Sequence, residues 1–275
     1  MSLVDEIFSL KGKAYVVTGG AGLLGRNHAM AIAAAGGIPV VLDNSVDGVE
    51  NLMSHFGDLR MPLIAKVCDA LDVDALNRVL VEIQESGFVL GGLINNLDYN
   101  PPMESGSSPA LNKFEDFPEL EWDKAMDLGL KSAFLASRVF GSELAKNESG
   151  TIVNIASDLA VIAPDQRIYR DPQKPESDWV LKPISYSVTK FGLVGLTKYL
   201  ASYWSEKSVR VNALAFGSVT STQSPYLTSQ LESRIPMGRL ARPDEYKGAL
   251  IFLLSDASSY MTGSVTVLDG GRSIW

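Results

Sequence analysis

Seven short runs of Val, Ile and Leu recur along the chain, and they limit its fold more than any other feature. They are AYVVTG (14–19), IPVVLD (38–43), MPLIAKV (61–67), VLGGLIN (89–95), TIVNIAS (151–157), VRVNALA (209–215) and SVTVLD (264–269). Mostly continuous rather than alternating, they read as strands buried on both faces. Between them lie amphipathic stretches such as LLGRNHAMAIAAAGG, DVDALNRVLVEIQESG and YSVTKFGLVGLTKYLASYWSEK, with Gly36-Gly37 and Gly87 closing the first two. Repeated strand–helix–strand units pack helices on both sides of a parallel sheet. The expectation is one α/β domain, residues 1–275, on a doubly wound, seven-stranded parallel sheet.

Two polar, Pro-containing stretches break this rhythm, near 97–121 and 163–183. Both follow predicted strands, so both should emerge at the carboxyl edge of the sheet, where open α/β folds bind ligands.

At that edge the first run leads into TGGAGLLG (18–25), which opens a helix. Gly19, Gly22 and Gly25 let backbone approach a pyrophosphate. The N–H groups of the helix start, at Leu23 and Leu24, attract its charge. An ordinary turn also uses glycine, and the run alone does not separate the two. Asp43 ends the second run, where a carboxylate accepts hydrogen bonds from a ribose diol and repels a 2′-phosphate. No Arg or Lys stands beside it in LDNSVDG. That favours NAD over NADP, unless Asp43 or Asn44 merely caps the next helix. Asp69 and Ala70 follow the third run, and Asn95-Asn96 the fourth, where strand ends would meet adenosine.

YSVTK (186–190) puts a phenol and an ammonium four residues apart, on one face of a helix. Such a pair is common in isolation. Here it follows LKGKAYVVTGG, INN and IVNIAS, and precedes RVNALAFG and SSYMTGSVTVLDGG. In this order the motifs resemble the short-chain dehydrogenase/reductase family, with its Rossmann-type fold, over nearly the whole chain. The resemblance implies that Tyr186 is the general acid/base and that Ser157 positions the reacting oxygen. It also implies that Lys190 lowers the phenol pKa and holds the nicotinamide ribose, while Gly217 and Val219 flank the nicotinamide. A free phenol has a pKa near 10; Lys190, with a cationic nicotinamide nearby, can lower it by about two or three units. The implied activity is NAD(H)-dependent interconversion of a secondary alcohol and a ketone. Association through the long helices around 120–146 and 184–206 would give a homodimer or homotetramer.

The chain departs from its relatives in several places. Its T-G-x-x-G-x-x-G spacing is that of an extended branch containing sugar epimerases and dehydratases with tightly bound NAD. The chain nevertheless ends at DGGRSIW, without their larger substrate domain. Gly129 falls where relatives carry the asparagine of a proton relay, implying a slower enzyme, a rerouted relay or close helix packing. Phe216 replaces the usual proline in AFGSV, and should pack beneath the nicotinamide. Tyr186 stands 29 positions after Ser157, a longer interval than relatives use. The insertion carries Arg167, Tyr169, Arg170 and Lys174, which would either capture a phosphate or carboxylate or form a solvated loop paired with Asp165, Asp171 or Glu176. NIASDLAVIAPDQRIYR with YMTGSVTVLDGGRSIW is similar to a bacterial subgroup named for flagellin modification. That resemblance implies a carbohydrate substrate, an amino sugar or sugar phosphate of nonulosonic acid or surface-glycan synthesis.

Composition bounds the remaining classes. A formal net charge of −8 argues against nucleic acid or an anionic membrane as partner. No run approaches the roughly 18 apolar residues of a membrane span, and MSLVDEIFSLKGK lacks a signal-peptide pattern. Cys68 is the only cysteine, and His28 and His55 are the only histidines. Neither a disulfide nor a thiolate or imidazole metal site is expected, and the location expected is cytoplasmic.

Overall fold

The computed structural model describes residues 2–100, 113–176, 179–221 and 223–275. All seven apolar runs form strands: β1 Lys13–Thr18, β2 Ile38–Asp43, β3 Ile64–Val67, β4 Val89–Asn95, β5 Gly150–Ser157, β6 Val209–Phe216 and β7 Val265–Leu268. They pair in parallel, in the order β3-β2-β1-β4-β5-β6-β7, giving the expected single-domain Rossmann fold. β3 is shorter than its apolar run because Pro62 has no N–H to donate; pairing with β2 starts only at Val40↔Ile64.

Among the described residues, the α-helical elements that flank the sheet are α1 Leu3–Ile7, α2 Leu23–Ala34, α3 Val46–Asp58, α4 Val73–Glu85, the long α5 beginning at Glu119, α6 Ile184–Tyr203, α7 Pro225–Glu232 and α8 Lys247–Leu254. Ser45 caps α3 by accepting from Gly48 N–H, and Asp72 caps α4 by accepting from Asp74 and Ala75 N–H. Each cap is worth about 1 kcal/mol. α5 runs to Lys146 but widens into π turns at Asp127–Lys131 and Ser137–Gly141.

Side chains of β1 alternate between two cores. Ala14 and Val16 pack with Leu76 and Ile83 of α4, Phe140 and Leu144 of α5, and Leu200 and Trp204 near the end of α6. Tyr15 and Val17 face Ile32 of α2, Phe56 of α3 and Leu250 and Leu253 of α8. Both faces of the sheet are therefore dry, which is why the strands read as continuous apolar runs.

The chain leaves β1 toward β2 on one side and returns to β4 on the other. That reversal opens a crevice beyond the carboxyl ends of β1 and β4, where a ligand fits without displacing a crossover. The described residues of the 163–183 insertion lie beside this crevice; residues 177–178 are not among them. Of the 97–121 insertion, residues 101–112 lie outside the described residues.

Candidate active site

Hydrogen bonds stitch together the two strand ends at the crevice. Thr18 Oγ1 accepts from the backbone N–H of Asn96 at 3.1 Å, and Asn96 Nδ2 donates to the carbonyls of Thr18 and Gly19 at 3.1 and 2.9 Å. The neighbouring Asn95 side chain turns inward, where Nδ2 donates to Asn154 Oδ1 at 2.7 Å and to Ser137 Oγ at 3.0 Å. The side chain facing the cleft is therefore that of Asn96, one residue beyond the expected contact. Strand alternation sends the two neighbours opposite ways.

The glycine turn is shaped by packing. A Cβ at Gly25 would collide with the Gly19 carbonyl and stand 2.6 Å from Gly20 Cα, so only glycine lets α2 start this close to β1. Gly22, the N-cap, offers no side-chain cap, and the first-turn amides of Leu23 and Leu24 follow it. A phosphate fits that bare helix start. Asp43 spans the next gap, its Oδ2 accepting from Ala21 N–H and its Oδ1 from Ser45 N–H, each at 3.0 Å. Ser45, not Asp43 or Asn44, is the helix cap. Asn44 is exposed beside it. Asp69, also exposed, accepts from Leu71 N–H at 2.9 Å, and Ala70 is buried. These four lie along the carboxyl edge beyond β2 and β3.

Toward β5 and β6 the crevice deepens into a cavity of about 300 Å³. Ser157, Tyr186, Lys190, Gly217, Val219, Leu24 and Tyr169 all line it. Gly217 admits no side chain, since a Cβ there would lie 2.6 Å from Asp269 Cα. Phe216 forms part of the wall and stacks on Tyr246, ring centroids 3.8 Å apart. Arg167 and Arg170 do not line the cavity. Arg167 is exposed and holds Asp165 through Nε at 2.8 Å and Nη2 at 3.0 Å, while Arg170 lies 5.7 Å from the Trp179 ring. The structure thus realises the solvated, salt-bridged alternative for Arg167. Arg167, aided by Arg234, keeps the Asp165 carboxyl far below the usual carboxylate range.

Lys190 is buried, and its Nζ donates to the Ile155 carbonyl at 3.0 Å and pairs with Asp98 Oδ2 at 3.2 Å. Burial pushes the Tyr186 phenol well above its ordinary value and Asp98 adds to the rise, while the Ser157 hydroxyl pulls it down. Ser157 Oγ in turn donates to Asp158 Oδ1 at 2.9 Å, and Asp158 Oδ2 accepts from Arg272 Nη1 at 2.8 Å in a pair that is almost wholly buried.

Asp98, Asp158, Lys182 and Arg272 were not among the residues singled out from the sequence, yet all four line the cavity. Two signals pointed their way. Asp158 directly follows Ser157, and Lys182 directly precedes Pro183, which caps the helix carrying Tyr186.

Comparison with known proteins agrees with this geometry. Residues 13–169 match the family described as short chain dehydrogenase, and residues 179–273 match the one described as enoyl-(acyl carrier protein) reductase. This chain belongs to the short-chain dehydrogenase family. Within it, the chain is 30% identical to the NAD-dependent glycerol dehydrogenase of Listeria innocua, over 98% of this chain and 97% of that one. It is 31% identical to the 2-dehydro-3-deoxy-D-gluconate 5-dehydrogenase of Pseudoalteromonas atlantica, over 97% and 98%. Its fold matches the gluconate 5-dehydrogenase of Burkholderia cenocepacia, solved with NADP and tartrate, at a TM-score of 0.83, 22% identity and 99% coverage of each chain. As a short-chain dehydrogenase, the protein is an oxidoreductase acting on CH–OH groups. Among the described residues, no helix is long and apolar enough to cross a membrane.

Proposed function

We propose that this enzyme interconverts a secondary alcohol and a ketone on a small polyhydroxylated carbohydrate, with NAD(H) as its cofactor. The observation that carries the reading is the convergence of Tyr186, Ser157 and Lys190 on one cavity beside the glycine turn. A nicotinamide dinucleotide, when bound, supplies the hydride acceptor or donor. Leu23 and Leu24 N–H are suited to its pyrophosphate, Asp43 to its ribose diol, and Gly217 and Val219 to the wall beside its nicotinamide. In oxidation the Tyr186 oxygen takes the hydroxyl proton as the carbinol carbon becomes a carbonyl; in reduction the phenol returns it.

Alcohol oxidation releases a proton and ketone reduction consumes one, so oxidation gains as pH rises. Ser157, whose proton is engaged by Asp158, meets a substrate hydroxyl as an acceptor.

Support for a carbohydrate comes from relatives named for glycerol and for a deoxygluconate. The narrower context of nonulosonic acid or surface-glycan synthesis rests only on the resemblance of residues 154–170 and 260–275. Asp43 and the absence of a basic neighbour favour NAD over NADP. We expect the enzyme to act as a homodimer or homotetramer, since Phe191, Tyr199 and Tyr203 on α6 and Phe134 on α5 are exposed.

The test is turnover of a panel of polyols, aldonates and sugar phosphates with each dinucleotide, followed by near-ultraviolet absorbance. Appearance of reduced cofactor with at least one secondary alcohol is expected. Cofactor that co-purifies at full occupancy and is recycled without net reduction would instead fit an epimerase or dehydratase.

A further inference from the structure

The arginines of the 163–183 insertion stay outside the cavity, but the same insertion sends a different cation into it. Five charged side chains line the cavity: Asp98, Asp158, Lys182, Lys190 and Arg272. Asp98 pairs with Lys190 at 3.2 Å and Asp158 with Arg272 at 2.8 Å. Among the described residues, Lys182 has no ionic partner. Its Nζ donates to the neutral Asn100 Oδ1 at 2.8 Å and lies 3.8 Å from the centroid of the Tyr186 ring, nearer than Lys190 at 5.5 Å.

Lys182 is also held in place. Its N–H donates to Gln166 Oε1 at 2.8 Å, and its carbonyl accepts from Gln166 Nε2 at 3.1 Å. Gln166 belongs to the 3₁₀ turn Gln166–Tyr169 that delivers Tyr169 to the cavity wall. On the other side, Pro183 fixes the backbone and begins α6. A side chain so anchored, over the face of the proton-transferring phenol, is positioned to reach the substituent next to the reacting carbon.

A half-buried ammonium with no ionic partner among the described residues gains stabilisation from an anion brought beside it. Burial lowers the Lys182 pKa to about 8, and Asp98 and Asp158 only partly offset that drop. Among the described residues the two ion pairs cancel, which leaves one surplus positive charge on the cavity wall. One surplus charge matches a carboxylate better than a dianionic phosphate. We propose that Lys182 binds the carboxylate of a sugar acid, making polyhydroxy acids rather than neutral polyols the substrate class. This rests on the carbinol chemistry assigned above to Tyr186.

The test compares D-gluconate with D-glucitol, which replaces the carboxylate by a hydroxymethyl group, using the full chain saturated with NADH. Calorimetric affinities are measured for wild type, Lys182→Met and Lys182→Arg, and turnover is followed in parallel with NAD in place of NADH, since oxidising either compound needs the oxidised cofactor. Wild type should bind gluconate on the order of tenfold or more tightly than glucitol, as expected of a charge-assisted hydrogen bond. Lys182→Met should abolish that ratio and Lys182→Arg should retain most of it. Equal wild-type affinities, or a proportional loss of both ligands in Lys182→Met, would overturn the proposal. Binding that follows the expected pattern without turnover of either compound would overturn the alcohol–ketone reading instead and leave the carboxylate site standing.

Discussion

The Asp98 carboxylate meets the Lys190 ammonium at 3.2 Å in the space that a side chain on Gly129 would enter. A Cβ on Gly129 would lie 3.0 Å from Asp98 Oδ1 and 3.0 Å from Thr189 Cγ2. Gly129 therefore makes room for a carboxylate from the loop after β4. Asp98 Oδ1, buried and without a hydrogen-bond partner among the described residues, is placed to meet a water or a substrate hydroxyl.

Asp98→Asn removes the negative charge that raises the Tyr186 pKa and occupies Lys190. The pH profile of kcat/KM for alcohol oxidation should shift toward lower pH. An unchanged profile, with the variant folded, would mean that Asp98 does not govern the phenol.

Tyr186→Phe deletes only the proton-transferring oxygen. Turnover should fall by about 10²–10⁴, the usual worth of a positioned acid/base, while dinucleotide binding read by fluorescence stays within a few-fold. Near-normal turnover in this variant would remove Tyr186 from the chemistry.

Arg272→Met leaves Asp158 charged and buried without its partner. Breaking one side of such a pair costs about 3–5 kcal/mol, which a urea denaturation midpoint would show. Replacing both members, Asp158→Leu with Arg272→Met, should recover part of that stability, yet activity should stay low because Ser157 loses its orienting acceptor.

His28 is fully buried against Phe216; among the described residues neither ring nitrogen has a partner in good hydrogen-bond geometry, and the nearby Asn96 side chain only partly offsets its burial. Burial lowers its pKa to about 4 from an ordinary 6.5. Between those values the unfolded chain binds a proton that the folded chain refuses. The folded state is therefore favoured fully above about 6.5 and progressively less as pH falls toward 4. The loss is on the order of 3 kcal/mol. His28→Leu should flatten the acid limb of a thermal-melt series across that window; an unaltered limb would assign acid sensitivity to other groups.

Tyr199→Glu combined with Tyr203→Glu places two charges on the exposed aromatic stripe of α6, where the two rings stack 5.9 Å apart. If α6 forms the subunit contact, light scattering should report a monomer for the variant and a larger species for the parent.

The sheet was readable because burial on both faces leaves a nearly continuous apolar run in each strand. Ser157, Tyr186 and Lys190 could be singled out because two of them share a helix turn and the third ends a strand. What escaped depends on contacts distant in sequence. Asp98 reaches Lys190 across 92 positions and Arg272 reaches Asp158 across 114. Arg167 and Lys182 lie in the same insertion, and composition could not say which one faces inward. The difference is made by Asp165, which accepts the guanidinium, and by Gln166, which grips the Lys182 backbone.

Arg272 lies beyond β7, so the support beneath Ser157 comes from a segment far along the chain from the serine itself. A chain in which that segment were displaced would hold the serine, the phenol and the ammonium, and still present an unbalanced carboxylate under them.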